Sequence, residues 1–214
     1  MSPRRPPAPV LRRRVAGGGQ RGASLVEGAI VAPAFFLFVL SIIELGLLAH
    51  HELATANASR QGARAAAVFD TGFAADHEII QAVVAGAASV GPNPIEFVVV
   101  YRIAEVGQAM NPTCLVRSVD VGEDPDRPCN RYAGADLSAA VYEADGITPT
   151  GAFGCGASAI DRHWCPQDRI TTLSGPLDLV GVHVQTDHRF LTGLFGTNRA
   201  IADATVVQIE PDDL

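Results

Sequence analysis

The chain has 214 residues, 48% of them hydrophobic, and a net charge of -7; that length accommodates one ordinary domain plus an anchor. The charge is uneven: residues 1–22 hold six arginines (Arg4, Arg5, Arg12, Arg13, Arg14, Arg21) and no acid, whereas the rest sets ten arginines against all 23 acids. Binding to nucleic acid needs a cationic face on the folded part, so this anionic body excludes it.

Residues 1–22 are rich in Pro, Arg and Gly and have nothing with which to bury a core, so a disordered basic leader is expected. From Gly28 to Ala49 the chain is a hydrophobic segment, apolar all round from Phe35 to Leu40. As a helix this stretch rises about 33 Å, enough to cross a hydrocarbon core. The arginines precede it, so the positive-inside rule predicts a single pass with a cytoplasmic N-terminus and the remainder extracytoplasmic. A signal peptide would have a shorter apolar region. Helix-forming sequence continues to about residue 69, giving one rod of roughly 70 Å over 23–69. Ala56, Ser59, Ala63 and Ala66 share a face of small residues suited to close helix packing, so this second half reads either as a solvated stalk or as a packing surface for neighbouring subunits. Glu44, late in the apolar run, is expected either to meet a polar partner in a companion subunit or, the slightly favoured reading, to be solvated near the outer headgroups.

The segment 70–214 reads as an extracytoplasmic head. A second helix is expected around Asp76–Ala88, with Ile79, Ile80, Val83, Val84 and Ala87 on one side and Pro92 and Pro94 ending it. Ile95, Phe97, Val99, Tyr101 and Ile103 alternate as in a strand with one buried face. Residues 111–175 are loop-rich, with a short helix near Ala135–Glu143. Leu177–Gln185 and Ala200–Pro211 read as strands joined by a long connection containing Gly193 and Gly196. The fold class is therefore α+β: a long N-terminal transmembrane helix, then a small head with an antiparallel sheet packed on it.

All four cysteines (Cys114, Cys129, Cys155, Cys165) lie in the head and none forms a CxxC pair. An even number of widely spaced cysteines beyond a membrane span favours disulfides in an oxidising compartment. Zinc, with His163 beside Cys165, is the weaker reading, because structural zinc sites bring ligands in close pairs. Three pairings are open; Cys114–Cys129 and Cys155–Cys165 are the ones adjacent in sequence. Asp161, His163 and Cys165, and likewise His183, Asp187 and His188, fall close together, but no GxSxG, HExxH or P-loop pattern accompanies them. No catalytic residue, metal or cofactor is expected, and the chain is not expected to be an enzyme.

The stretch that carries functional information runs from Arg21 to Phe35. A carboxylate, Glu27, stands at the start of the apolar run, where a charge is costly: about 2.5–3.5 kcal/mol at a helix centre, less near an interface. Arg21-Gly22-Ala23-Ser24-Leu25-Val26-Glu27, then Pro33, then Glu44, then Ala58 to Ala67 (ASRQGARAAA) together resemble the TadE-like proteins of Tad/Flp pilus systems, within the wider type IV pilin and pseudopilin class. Residues 177–211 resemble the family's closing strands. The resemblance implies cleavage between Gly22 and Ala23 by a prepilin peptidase, with Glu27 as the fifth mature residue, docking against the new amine of a neighbouring subunit. One departure is Gly28, where the family often has an aromatic; in an uncleaved chain Glu27 would instead pair with a nearby arginine such as Arg21. The implied function is that of a minor pilin or pseudopilin in assembly of a Tad/Flp-type pilus or related secretion machine. The implied partners are the bacterial cell membrane, pilin and pseudopilin subunits, an inner-membrane assembly platform and the peptidase. Two other readings are a single-pass protein with a disulfide-stabilised ligand-binding head, and a membrane-tethered hydrolase using the His/Asp clusters.

Overall fold

A computed structural model describes residues 19–69, 71–91, 94–172 and 176–211. The leader through residue 18 and Pro92 lie outside the described residues. The first element, α1, runs from Gly19 to Val68 with Pro33 inside it. It is the one helix among the described residues that is long and apolar enough to cross a membrane. Its first part is a rod with its apolar side chains turned outward: Leu25, Ile30, Val31, Phe35, Phe36 and Phe38 are all exposed.

A separate compact unit begins at Glu44 and takes in the rest of the chain. It holds the second half of α1, the 13-residue helix α2 (Ala75–Ala87) and four strands: β1 (Ile95–Ile103), β2 (Cys129–Ala133), β3 (Leu179–Arg189) and β4 (Asn198–Gln208). The strands form one antiparallel sheet in the order β2-β1-β3-β4. Valine, isoleucine, tyrosine and phenylalanine fill β1, the residue types that fit a pleated, packed surface.

Both faces of β1 are covered, rather than the single face its alternation suggested. Val98 and Val100 join Val180, Val182 and Val184 in the main core, under α2 and the second half of α1. Phe97, Val99, Tyr101 and Ile103 face the other way and pack with Cys114, Val119 and Cys129. The loop carrying the Cys114–Cys129 disulfide therefore acts as a second layer on the outer face of the sheet.

Two sequence expectations in the middle segment need correction. The stretch Ala135–Glu143 holds only a 3-10 turn, Gly134–Ser138, not a helix. The loop-rich region also contains β2, whose residues pair with β1 from Phe97↔Ala133 to Tyr101↔Cys129. The connection between β3 and β4 is a hairpin: Arg189 pairs with Asn198, and the Phe190 N–H donates to the Thr197 carbonyl at 3.1 Å. Gly193 and Gly196 sit in it at φ 72° and 109°, values that favour glycine.

The small-residue face of α1 is an intramolecular surface. Of the four residues of that face, Ser59, Ala63 and Ala66 are buried and Ala56 is half-buried; Ala54 and Ala58 beside them are buried too, and Gly62 is covered by α2 and β3. A Cβ built on Gly62 would stand 2.5 Å from Val83 and 2.9 Å from Val182. One on Gly86 would stand 2.7 Å from the Ala58 Cα. Small side chains let α1, α2 and the sheet approach to backbone distance. The face assigned to neighbouring subunits is thus occupied by the protein's own head.

Candidate assembly and docking site

The first turns of α1 carry the residues singled out for processing and docking. Gly22 is helical and exposed, and Ala23 and Arg21 also lie in the helix, although their side chains are outside the described residues. Glu27 is exposed one turn further on, flanked by exposed Leu25 and Val26. Nothing approaches within 4 Å of a Cβ placed at Gly28. Glu27 is thus an exposed carboxylate on an apolar stretch of helix.

Glu44 behaves differently from its expected solvated state. Its side chain is 1% exposed, and its Oε1 accepts the backbone N–H of Thr192 from the β3–β4 hairpin. This contact begins a row of polar pairs that runs along α1 against β3 and β4. His51 and His188 approach at 3.2 Å between Nδ1 atoms, their rings edge to face. The hydroxyls of Thr55 and Thr186 lie 2.7 Å apart. Ser59 donates to Asp203 and lies 2.9 Å from the Thr205 hydroxyl. The residues fall four or seven apart on α1, so they share one helical face. On β3 and β4 they come from the face that packs on α1. A one-residue slip of either strand would turn these side chains away, so the pairs fix helix-to-sheet register as well as satisfying buried groups. Burial and the adjacent His188 both push the His51 pKa below its ordinary value.

A second polar group lies inside the head. Asp76, in the first turn of α2, is fully buried. It pairs with Arg169 and accepts from the Tyr132 hydroxyl and from Asn130 Nδ2, the latter at 3.0 Å. Asn130 also clamps Trp164, donating to its carbonyl at 2.8 Å and accepting its N–H at 3.0 Å. The Arg169 guanidinium stacks 4.4 Å from the Trp164 ring. β2 therefore supplies Asn130 and Tyr132 as the inner polar lining of the cysteine-bearing segment. Asp161, buried nearby, has its pKa pushed up to about 7, by burial first and by Asp76 second.

The four cysteines form Cys114–Cys129 and Cys155–Cys165, with Cα separations of 6.1 and 5.2 Å. Among the described residues, no three His, Cys, Asp or Glu side chains are grouped to hold a metal. The two sequence clusters disperse. Cys165 is in its disulfide, His163 faces Asp120 at 3.8 Å, and Asp161 lies near Asp76. His183 stacks on Phe97, Asp187 meets Asn198 at 3.3 Å, and His188 pairs with His51. Burial lowers the pKa of His183 and of His163, the latter with help from Arg162. Sequence reasoning missed the Glu44–Thr192, Thr55–Thr186 and Asp76–Arg169 relationships; the only signal was the isolated polar residue inside each apolar pattern.

A long N-terminal apolar helix followed by a small, disulfide-bonded α+β domain with a four-stranded antiparallel sheet defines the class of this chain. Within that class, residues 22–64 match the family model described as TadE-like protein, in agreement with the resemblance carried by Arg21 to Glu27 and Ala58 to Ala67. The match ends at residue 64 and does not reach the strands of 177–211. No curated protein matches the chain. No solved structure matches it either.

Proposed function

We propose that the chain is a TadE-like minor pilin or pseudopilin that takes part in assembling a Tad/Flp-type pilus or a related secretion machine. The observation that carries this reading is the TadE-like match over residues 22–64, the stretch that holds Gly22, Ala23 and Glu27. The protein would cross the bacterial cell membrane once, with the N-terminus cytoplasmic and the head outside. Two disulfides in the head and a basic leader on the opposite side of the apolar rod support that orientation.

In this role a prepilin peptidase cleaves between Gly22 and Ala23. The bond lies in α1 near the N-terminal end of the described residues, where Gly22 is exposed. The Glu27 carboxylate then pairs with the freed amine of an adjacent pilin or pseudopilin, setting axial register while the assembly platform draws the helix from the bilayer. The chain contributes structure and docking and performs no chemistry.

The test is intact-mass and N-terminal analysis of the membrane-extracted protein, together with Glu27→Ala. A mature terminus at Ala23 is expected. The variant should insert normally but fail to co-purify with pilin subunits. An unprocessed Met1 terminus, combined with wild-type co-purification of Glu27→Ala, would sink the proposal.

A further inference from the structure

The β3–β4 hairpin tip carries an apolar patch that the fold leaves uncovered. Leu191 is 74% exposed, and Leu194 and Phe195 are each 48% exposed, around the buried Phe190. A hairpin tip of this composition is out of place in water, where short connections are normally polar. Its position gives the reason. Thr192 binds Glu44, Phe190 packs with Leu48 and Ile201, and Phe190 and Phe195 rings lie 6.1 Å apart. The tip is therefore held beside Glu44, about 8 Å of helix rise inside the Ala49 end of the apolar run. Leu45 and Leu47, on the neighbouring turns of α1, are exposed as well. The hairpin patch adjoins this stretch of α1, since Leu45, Leu48, Phe190 and Phe195 line one surface cavity. Basic groups border it: Arg189 and Arg199 flank the loop and are exposed, Arg199 lying 3.9 Å from Glu52.

We propose that the hairpin tip Phe190–Thr197 is a membrane-interface element: Leu191, Leu194 and Phe195 enter the headgroup–acyl boundary of the bilayer beside α1, with Arg189 and Arg199 at phosphate level. This rests on the reading of α1 as a membrane span. The depth matches the 5–10 Å to which apolar faces settle into such a boundary, and exposed arginines near a headgroup layer are attracted to lipid phosphate. The hairpin also gives Glu44 its function in the fold. A carboxylate at that depth would face lipid, and the loop covers it while supplying an N–H donor. The head is thereby seated on the membrane at two points, the helix and the loop.

The experiment uses full-length protein in phospholipid vesicles whose acyl chains carry bromine either near the glycerol end or near the chain terminus. Leu194→Trp reports the hairpin and Phe36→Trp reports the rod. The native Trp164, buried against Arg169, reports that the head is folded. Shallow bromine should remove roughly half of the added Leu194→Trp emission, deep bromine should remove less, and Phe36→Trp should show the opposite preference. If Phe36→Trp is quenched and Leu194→Trp is not, the hairpin proposal fails while the span stands. If neither is quenched, the span reading fails and the proposal falls with it. Shielding of Leu194→Trp from an aqueous quencher without lipid quenching, rising with protein-to-lipid ratio, would assign the patch to a second copy and overturn the proposal.

Discussion

Arg169 and Asp76 form a buried ion pair between residues 93 apart in the chain, joining the cysteine-bearing segment to the first turn of α2. Neither side chain reaches solvent. Asp76 gains the positive end of the α2 dipole and hydrogen bonds from Tyr132 and Asn130, so its charge is well compensated. Breaking such a pair from one side costs more than removing both halves, because one charge is left buried alone. Arg169→Met should destabilise the head by about 3–5 kcal/mol, and the double variant Asp76→Leu with Arg169→Met should recover much of that loss. Urea denaturation of the detergent-solubilised protein, followed through Trp164 emission, measures both.

Asp161 gives a stability that falls with rising pH. Its folded pKa is raised from 3.8 to about 7, so its contribution is fully present below about pH 4 and is lost as pH rises through 7. The backbone N–H groups of Gly154 and Asp161 offset part of the burial cost, though neither makes a hydrogen bond of normal geometry. Asp161→Asn should therefore exceed the parent protein in stability at pH 8, by on the order of 2 kcal/mol after solvent screening, with the gap closing at pH 4. Thermal melts at the two pH values test the sign. A gap of equal size at both would rule out titration of Asp161 as its cause.

The His51–His188 pair works in the opposite direction. The folded pKa of His51 lies below its ordinary 6.5, so the stabilisation it reports is present above that pH and is lost as pH falls. Asp187 opposes the shift and His50 adds to it. Acidification to pH 5 should loosen the contact between α1 and β3 before it affects the inner face of β2. His51→Phe should flatten the acid side of the stability profile. Hydrogen exchange at β3 amides, compared with those of β2, reports the order of opening.

Gly86 and Gly28 offer a paired test of close packing. Gly86→Val places branched carbon against the Ala58 backbone, which cannot yield as a side-chain tip can. A cost of about 1–3 kcal/mol or more is expected, lowering the melting temperature by several degrees. Gly28→Ala has open space around it and should be neutral or favour the helix by up to about 1 kcal/mol.

The elements legible in the sequence are those whose pattern is local. The apolar run of α1 announces itself by length, α2 by its Ile79, Ile80 and Val83 spacing, and β1 by its β-branched and aromatic content. β2 was illegible because Cys129–Ala133 is five residues long and carries Asn130 and Arg131 inside it; its identity comes from pairing with β1, 26 or more residues away in the chain. The small face of α1 was recognised as a packing surface, but spacing reveals burial and not the owner of the covering surface. Glu27 and Gly22 were singled out by motif. The row from Glu44 to Ser59 was not, because each residue's partner sits on a different element more than 130 positions later.

Since Ala58, Gly62, Ala63 and Ala66 complete the floor beneath α2 and β3, the head of this protein has no natural cutting point at the C-terminal end of α1. A secreted fragment starting at Thr71 would expose Ile79, Val83 and Val182 and should collapse or aggregate. One starting at Glu44 would retain the closing helix and both disulfides, and is the shorter piece with a chance of standing by itself in water.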